Sequence, residues 1–372
     1  MEEHFDKSEP VPPEDYLIVK YEELMDFIKS VFVKLGVPEQ DAFYVAENLV
    51  TADLRGIESH GVARLKRYTD GIINGAVKVK PNIRVVREGP SYALIDGDSG
   101  LGQVVGIKAV ELAVKKAKET GIGAVTVRMS NHYGIAGYYA LKILDHDMIG
   151  FSLTNARPLV AHTGALGKWI GTNPIALAAP TKTPPPFVLD MATSIVPIGK
   201  MEVYSRKGKK APLGWGIDKD GKPTDDPMVI RKEGALLPLG GLGELFGGHK
   251  GYGLAVMVEI LTATLSGAAM LRDVGQTQGP GPSNVGHFFM AINVEAFMPL
   301  DEFKERMDRM IKTLKSAPLH PDFKKIWIHG EKSWLTTQHR LKHGIPIYKK
   351  TAQMMKEVAE QVGVEFPWKL PW

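Results

Sequence analysis

The chain has 372 residues and a formal net charge of +4, with 44% hydrophobic and 24% charged residues. These values exclude a disordered or fibrous chain, and at this length one core usually gives way to two, so we expect two lobes. The balance is only weakly basic and no run of five or six like charges occurs, which argues against nucleic acid as a partner and favours a small anionic molecule.

The chain contains no cysteine, which excludes disulfides, thiolate nucleophiles and zinc-thiolate sites and fits a reducing cytoplasm. Residues 1–20 lack the basic start and apolar core of a secretory signal, and we expect them to form a flexible tail. The longest apolar stretch, Gly251 to Leu271, carries Glu259 and many small residues, so we predict a buried core helix rather than a membrane span. We therefore expect a cytoplasmic protein with no membrane partner.

After the tail, the chain begins with helical patterns. Apolar residues fall at helical spacing from Tyr21 to Leu35, and the stretches "PEQDAFYVAENLVTADLRG" and "VARLKRYTDGIINGAV" repeat the signal. Gly36 and Gly56 are typical helix stops. These patterns predict the first part of a helical lobe over residues 21–82.

Strand patterns become common in the next region. The stretch "NIRVVREGPSYALIDGDSG" has two alternating runs around a Gly-Pro turn, which indicates a hairpin. A helix at about residues 103–118, a strand at 124–127 and a helix after His132 follow, with strand candidates in "MIGFSLTNA", "PIALAAP", "FVLDMATS" and "GHFFMAINVEAF". Residues 206–226 carry no sustained period and predict a surface flap. We assign residues 83–300 to a mixed α and β lobe.

Amphipathic helical patterns return in residues 301–372, for example in "DEFKERMDRMIKTLKSA". The first helical segment is too short to bury its own apolar face well. We therefore expect this C-terminal part to pack back against residues 21–82.

The common cofactor and metal motifs are absent. The chain has no phosphate-binding P-loop and no G-x-G-x-x-G, since its nearest match, "GLGQVVG" at residues 100–106, has one residue too many. A Rossmann fold is therefore only weakly supported. The sequence also lacks H-E-x-x-H, and His339 with His343 form an i,i+4 pair in a charged helix, where surface histidines are the usual case, so we predict no metal site.

Two histidines stand on predicted turns. In "GIESHGVARL", Ser59 and His60 precede Arg64 by about one helical turn, which places an acid/base next to a cation. The alternative is a serine that caps the next helix beside a surface histidine. In "VTVRMSNHYGIAGYYALKIL", His132 is left between a strand and a helix, where a side chain is held rigidly yet reachable, although a lone loop histidine often has no function.

Two further stretches carry polar groups in unusual places. In "FVLDMATS" an apolar strand ends in Asp190, which can orient a histidine or accept hydrogen bonds from a ribose, or can simply cap a turn. In "PLGGLGELFGGHKGYGLAVMVEIL" many glycines precede His249 and Lys250 at the start of a helix. Such a loop can bring backbone N–H groups and a lysine to an anion, and flexible-loop glycine is the alternative.

Two histidines, an arginine and an aspartate beside glycine-rich anion loops suit the protonation of a carbonyl while a carboxylate is held. The hydrolase motif G-x-S-x-G is missing around Ser59. A hydrolase that uses Ser59 and His60, and a binding protein without catalysis, remain open alternatives from the residues alone.

Seven stretches, taken together, resemble the malate/L-lactate dehydrogenase family of the second type. They lie in order between about Tyr21 and Pro346: "GIESHGVARL", "SNHYGIAGYYA", "GTNPIALAAP", "FVLDMATS", "APLGWGIDKDGKPTDDP", "GGHKGYGLAVMVEIL" and "GHFFMAIN". The resemblance implies an NAD(P)-dependent, cytoplasmic homodimer that transfers hydride between nicotinamide and a 2-hydroxy or 2-oxo acid without metal. It also implies a mixed α/β (α+β) fold, in which a non-Rossmann NAD(P)-binding lobe with a mixed, largely antiparallel sheet lies beside a helical lobe built from both chain ends.

The resemblance implies roles for individual residues. His60 with Ser59 is a candidate acid/base pair, His132 matches a histidine that transfers the proton in some relatives, Asp190 would complete the relay, and Arg64 would bind the substrate carboxylate. The implied cofactor contacts are Asn155, Ala156, Thr172, Asn173, Pro174, Asp190, Met191, Ala192, Thr193, Ser194, His249, Lys250, His329, Gly330 and Glu331. Many relatives have proline before the glycine of the last turn, where this chain has His329.

Malate is the leading substrate that we expect, because the positive charge and the basic side chains near the site suit a dicarboxylate. The substrates of related family members, such as sulfolactate, ureidoglycolate and piperideine-2-carboxylate, remain alternatives. NAD and NADP both remain possible cofactors. Lys207, Lys209 and Lys210 of the flap would favour the 2′-phosphate of NADP, although solvated loop lysines are the commoner case.

Overall fold

The computed structural model describes residues 14–206 and 208–372. Residues 1–13 of the predicted tail, and Lys207 of the predicted flap, lie outside the described residues. The helices are α1 (Tyr21–Lys34), α2 (Glu39–Leu54), α3 (Leu65–Ile73), α4 (Gly102–Thr120), α5 (Ala136–Leu144), α6 (Ile198–Arg206), α7 (Pro227–Lys232), α8 (Gly248–Glu259), α9 (Leu300–Lys315), α10 (Glu331–His343) and α11 (Lys349–Val362). The strands are β1 (Tyr16–Val19), β2 (Arg84–Glu88), β3 (Tyr92–Asp96), β4 (Ile122–Ser130), β5 (Met148–Thr154), β6 (Ile175–Ala179), β7 (Phe187–Met191), β8 (Gly216–Ile217), β9 (Ala235–Leu236), β10 (Val285–Asn293) and β11 (Ile345–Tyr348).

A seven-stranded sheet in the order β2-β3-β4-β10-β5-β6-β7 forms the centre of the larger lobe. Only the β3–β4 pair is parallel, and the other neighbours are antiparallel. The predicted hairpin is confirmed as β2 and β3. This mixed, mostly antiparallel sheet confirms the predicted fold class and explains the missing Rossmann fingerprint, because no parallel array of strands is present in it to bind a dinucleotide.

The two faces of the sheet have different covers. Val125 and Val127 of β4 belong to a buried cluster with Val105 and Val110 of α4. Thr126 alternates to the opposite face, where its hydroxyl donates to the carbonyl of Leu261 at 3.2 Å. Helix α4 therefore lies on one face, and the segment that follows α8 lies on the other.

A second core belongs to the helical lobe. Helices α1, α2 and α11 pack around side chains that are fully shielded from solvent, among them Leu24, Ile28, Leu49 and Met355. Both chain ends contribute to this lobe, as the resemblance implies.

The prediction of a flexible tail over residues 1–20 is wrong for residues 16–19. They form β1, which pairs in antiparallel register with β11. Val19 is fully buried in the same core, so pairing and apolar burial together order this segment. Sequence alone does not show the partner strand, since it lies at the other end of the chain.

The C-terminal helices divide between the two lobes. Arg340 of α10 donates to the carbonyl oxygen of Asp53 at 2.5 Å, and α11 packs on the first lobe. Helix α9 instead lies against the sheet lobe, where Lys304 pairs with Asp147 at 2.5 Å. The expected packing of residues 301–372 on the first lobe thus differs for α9, whose charged side chains reach the loops of the sheet.

Helix α8 also differs from the predicted fully buried core helix. Met257 is 39% exposed and Ile260 is 52% exposed, whereas Glu259 between them is buried. A π-helical turn continues the helix over residues 260–264. No helix among the described residues is long and apolar enough to span a membrane.

Candidate active site

A cleft lies between the two lobes. Residues from both lobes line it, and among them are seven that the sequence predicted: His60, Arg64, His132, Asn155, Ala156, Thr172 and Pro174. The described residues contain no group of three or more His, Asp or Glu side chains that could hold a metal ion.

His60 stands on the tight turn between α2 and α3. Its backbone N–H donates to the carbonyl of Ile57 at 2.9 Å, and the buried carboxylate of Asp53 accepts the N–H of Val62 at 2.7 Å, which fixes the turn from below. The Oγ of Ser59 lies 2.9 Å from Nδ1 of His60, so the predicted pair is in contact. Burial, with the positive charges of Arg64 and Arg67, lowers the pKa of His60 to about 3.

His132 lies at the end of β4, directly across the cleft from His60. The two rings are stacked, with centroids 5.7 Å apart and planes 17° apart. Helix α4 starts close behind this turn, and a Cβ on Gly102 would lie 2.6 Å from the carbonyl oxygen of His132, so only glycine permits the approach. Burial, followed by the charge of Arg67, lowers the pKa of His132 well below its ordinary value.

Three guanidinium groups line the same cleft. Arg64 is already engaged, because its Nε donates to the carbonyl of Ser59 at 2.6 Å and its Nη1 lies 3.3 Å from the carboxylate of Glu202. Arg67 and Arg157 have no carboxylate within ion-pair distance among the described residues. Burial and the charge of Arg64 lower the pKa of Arg67 to about 10, which leaves it cationic at neutral pH.

Sequence reasoning selected Arg64 and missed Arg67 and Arg157. The signal for Arg67 was its spacing of three residues after Arg64, which puts both on neighbouring positions of one helical turn. The signal for Arg157 was its place directly after the predicted contacts Asn155 and Ala156. Neither spacing shows which arginine is free and which is paired.

Asp190 contacts neither His60 nor His132 in this structure, and its role in a proton relay stays a prediction. Its carboxylate accepts the N–H of Gly137 at 3.0 Å, at the start of α5, and lies near Arg55. An acceptor there balances the positive end of the helix dipole. Burial raises the pKa of this carboxyl to about 6. The position at the end of a strand was read correctly, but the side chain points to a helix instead of the cleft.

Buried amides support the wall of the cleft near Ala156 and Thr172. The side-chain nitrogens of Asn155 and Asn173 both donate to Glu259, at 3.2 and 3.1 Å. The Oδ1 of Asn173 accepts the N–H of Ala156 at 3.1 Å. Asn173 is fully buried, so its side chain holds the wall and does not face the cleft.

The remaining predicted cofactor residues lead away from the cleft along β7. Thr193 donates through its hydroxyl to the carbonyl of Thr172 at 3.0 Å, and Ser194 is buried next to it. Met191 and Ala192 lie between these residues and the body of the strand. At the other end of β7, Val188 donates to the carbonyl of His329 at 3.1 Å.

His329 and Glu331 line a second cavity, together with Lys312 and Lys315 of α9. Glu331 accepts a 2.5 Å hydrogen bond from Lys315 and lies 3.5 Å from Lys325. Some of the predicted cofactor contacts therefore line the cleft and others line the second cavity, and β7 lies between these two groups.

Four basic side chains that the sequence analysis considered as cofactor ligands lie outside both cavities. His249 and Lys250 are exposed in the first turn of α8. In the flap, Lys209 is exposed and Lys210 pairs with Asp225 at 2.8 Å. The flap itself carries the short strand β8, paired with β9. Because Lys210 already has a carboxylate partner, it is a poor ligand for a ribose phosphate.

A loop from the far side of the sheet completes the cleft and was not predicted. Gln276, Thr277 and Gln278 line it, and the Oγ1 of Thr277 accepts the N–H of His132 at 3.4 Å. Tyr68 lies behind His132 with its hydroxyl 2.6 Å from Nδ1. The polar, glycine-rich and proline-rich stretch "GQTQGPGPSN" was the only sequence signal for this loop.

The chain matches the sequence model of the malate/L-lactate dehydrogenase family over residues 19–356. It is 61% identical over 352 residues to malate dehydrogenase of Pyrococcus horikoshii, covering 95% of this chain and 97% of that protein. It is 43% identical over 349 residues to L-sulfolactate dehydrogenase of Methanocaldococcus jannaschii, covering 94% and 98%. The solved structure of the Pyrococcus horikoshii malate dehydrogenase superposes with a TM-score of 0.90 at 57% identity, over 96% of this chain and 99% of that one.

The chain belongs to the malate/L-lactate dehydrogenase family. It is therefore an oxidoreductase that interconverts a hydroxy acid and an oxo acid, and this family activity implies a nicotinamide cofactor. The resemblance drawn from the seven sequence stretches is confirmed.

The fully buried His287 behind the cleft predicts how acid affects stability. Its ring lies between Thr154 Oγ1 at 2.7 Å and Ser130 Oγ at 2.8 Å, and burial lowers its pKa to about 3. In the unfolded chain the histidine has a pKa near 6.5, so acid favours the unfolded state. The free energy of unfolding therefore falls as the pH drops below that value. We expect the loss of stability between pH 6.5 and 5 to be about 2 kcal/mol smaller in His287→Gln than in wild type, because the variant removes the contribution of His287 while those of His60 and His132 remain.

The measurement is denaturant unfolding of wild type and variant at both pH values. His320→Gln is the matched control, because the side chain of His320 is 66% exposed. An equal pH dependence in wild type and His287→Gln would contradict the assignment.

Proposed function

We propose that the protein interconverts malate and oxaloacetate with a nicotinamide dinucleotide bound in the cleft between the lobes. The observation that supports this best is the meeting of two imidazoles and three guanidiniums in one cavity. A 2-oxo dicarboxylate needs both kinds of group, because its carboxylates require cations and its oxygen requires proton transfer.

The cleft wall fits the nicotinamide end of such a cofactor. The apolar residues Leu159, Pro174 and Ile198 line the cleft together with the polar residues Thr154 and Thr172. A flat ring with a carboxamide needs an apolar surface for its face and polar partners for its edge. The bound nicotinamide supplies or accepts the hydride at C2 of the acid. The second cavity and the strip along β7 are proposed to hold the rest of the dinucleotide.

The protein's own residues bind and orient the acid. Arg67 and Arg157 carry no ion pair among the described residues, so we propose that each takes one carboxylate of malate. Arg64 is held by Glu202, and we propose that it adds positive charge without forming the main contact. Fixing both ends of the substrate sets the distance and the face that C2 presents to the hydride partner.

The two histidines serve the substrate oxygen. In oxidation a histidine accepts the hydroxyl proton, and in reduction it returns that proton to the forming alkoxide. Burial lowers the pKa of His60, and the charges of Arg64 and Arg67 lower it further. A bound dicarboxylate offsets those charges, so we expect substrate binding to raise the pKa of His60 toward neutrality, where it can work in both directions.

The hydrolase alternative has less support. Ser59 contacts His60, but it lines a separate cavity on the other side of the turn. No carboxylate contacts His60 in the described residues, so the third member of a hydrolytic triad is missing there. A reducing cytoplasm remains our proposed location, supported by the absence of cysteine.

A spectrophotometric panel tests the proposed activity. Malate, sulfolactate and L-lactate are each offered with NAD and with NADP, and the reduced nicotinamide band is followed. We expect malate to give the highest kcat/KM and His60→Asn to lower kcat about 100-fold or more, because acid/base catalysis contributes at least that factor. His146→Asn is the control, since His146 is exposed and lines neither cavity. Absence of turnover with every acid would refute the proposed activity. A higher kcat/KM for sulfolactate than for malate would refute malate as the substrate and identify another dianion instead.

Removing one arginine tests the dicarboxylate assignment. We expect Arg157→Gln to raise KM for malate roughly 10-fold to 100-fold, the value of one charge-assisted hydrogen bond, and to change KM for L-lactate less than about twofold. Arg309→Gln on α9 is the matched control, because Arg309 is exposed and lies outside the cleft. Equal losses with both acids would show that Arg157 does not read the second carboxylate.

We also propose that the protein is a homodimer formed through α8 and the loop before it. Gly253, Met257 and Ile260 form an exposed stripe at helical spacing, and Leu245 and Phe246 of the adjoining loop are 85% and 81% exposed. A continuous apolar surface of this kind usually marks an interface, and a second copy gives a self-complementary contact.

Sedimentation velocity tests the dimer. We expect wild type to sediment as a dimer at micromolar concentration and Phe246→Asp to shift toward monomer, because the change places a charge in an apolar contact. Phe323→Asp is the control, since Phe323 is 59% exposed on another part of the surface. A monomeric wild type would refute this interface.

A further inference from the structure

The Nδ1 atom of His132 is occupied from the protein side of the ring. The backbone N–H of Gly134 points at it from 3.3 Å, and the hydroxyl of Tyr68 lies 2.6 Å away. A backbone N–H can only donate. Nδ1 must therefore act as an acceptor in this arrangement, and a neutral ring must carry its hydrogen on Nε2.

Tyr68 can supply the second donor. The residue is fully buried, and burial raises its pKa to about 12, so its phenol keeps its proton at neutral pH. An O–H donor at 2.6 Å is a short, strong contact for a hydroxyl. The hydroxyl and the Gly134 N–H thus favour the same tautomer of His132.

The groups that face His132 also keep it neutral. The charged or titratable side chains acting on it are Arg64, Arg67, His60 and His287, and no carboxylate is among them. A protonated His132 would have no counter-ion on the protein. The neutral ring therefore presents an Nε2–H donor to the cleft that it lines.

His60 has the opposite arrangement. Its Nδ1 contacts only the hydroxyl of Ser59, at 2.9 Å, and a hydroxyl accepts as readily as it donates. Nδ1 can therefore carry the hydrogen, which leaves a lone pair on Nε2. Of the two histidines, only His60 is free to receive a proton on Nε2 without breaking contacts to the protein.

We propose that Tyr68 is a positioning residue that holds His132 as the Nε2–H tautomer, so that His132 donates a hydrogen bond to the substrate oxygen while His60 carries the proton. The inference rests on the proposed function. In oxidation the O–H proton passes to Nε2 of His60, the C2–H bond breaks as hydride leaves to the nicotinamide, and C2=O forms while the His132 donor stays in place. Reduction reverses each transfer, and His132 gains or loses no proton.

Nitrogen-15 NMR of histidine-labelled protein tests the tautomer without any turnover. The signals of His132 are identified by their loss in His132→Gln. We expect a protonated Nε2 and an unprotonated Nδ1 in wild type, unchanged between pH 6 and 8, and a mixture of tautomers in Tyr68→Phe. A protonated Nδ1 in wild type would overturn the proposal, even if Tyr68→Phe cannot be purified.

Kinetics separate a hydrogen-bond donor from a proton carrier. A glutamine amide can replace an Nε2–H donor but cannot act as an acid or base at neutral pH. We expect His132→Gln to keep kcat within about tenfold of wild type, while His132→Leu and His60→Gln lose about 100-fold or more. A loss in His132→Gln as large as that in His132→Leu would overturn the assignment of roles.

Tyr68→Phe should lower kcat about tenfold, the effect of one buried hydrogen bond, with KM for malate changed less than twofold. Tyr138→Phe is the matched control, because it removes a buried hydroxyl that donates to Glu47, also at 2.6 Å, away from both cavities. Equal kcat in Tyr68→Phe and wild type, with an unchanged tautomer, would overturn the role of Tyr68. If wild type oxidises no acid at all, the proposed function is refuted. The NMR experiment still tests the tautomer of His132, because it requires no turnover.

Discussion

The chemistry of the cleft depends on an excess of positive charge in a partly buried space. Arg64, Arg67 and Arg157 meet there, and Glu202 is the carboxylate that pairs with one of them. Like charges at close range raise the free energy of the empty cleft, and a dianionic ligand lowers it. Burial and the same positive charges keep both histidines neutral, and a bound anion would offset the contribution of the charges.

The two lobes supply different parts of this site, and each part is held from behind. The turn with His60 rests on the buried carboxylate of Asp53, and the turn with His132 is tied down through Asn131, whose amide donates to the carbonyl of Gly100 at 2.9 Å. Asp53 lies on α2 of the helical lobe, and Asn131 directly follows β4 of the sheet lobe. The two turns are also joined, because the hydroxyl of Tyr68 on α3 lies 2.6 Å from Nδ1 of His132.

Much of the architecture could be predicted from the sequence because its signals are local. The β2–β3 hairpin follows from two alternating runs around a Gly-Pro turn, and the turns that carry His60 and His132 follow from a change of period. The pairing of β1 with β11 could not be predicted, because it joins segments at opposite ends of the chain. Long-range pairing leaves no mark in either segment alone.

The same limit applies within the candidate site. Asp190 was placed correctly at a strand end, yet its carboxylate turned to α5, because the direction of a side chain depends on the helix packed beside it. Arg64 was selected for its spacing after His60 and for the family resemblance, and the sequence could not show that the distant Glu202 pairs with it. Local pattern identifies which residue types are available, and tertiary contacts decide which of them remain free to bind a ligand.

The pairing of the first strand with the last also governs how the protein can be made. As the chain leaves the ribosome, α1 and α2 emerge early but lack β11 and α11, which complete their core. The strands of the central sheet all emerge before that, so the sheet lobe can close while the helical lobe still waits for its final segment. The helical side of the cleft therefore lacks part of its supporting core until β11 and α11 have been synthesised.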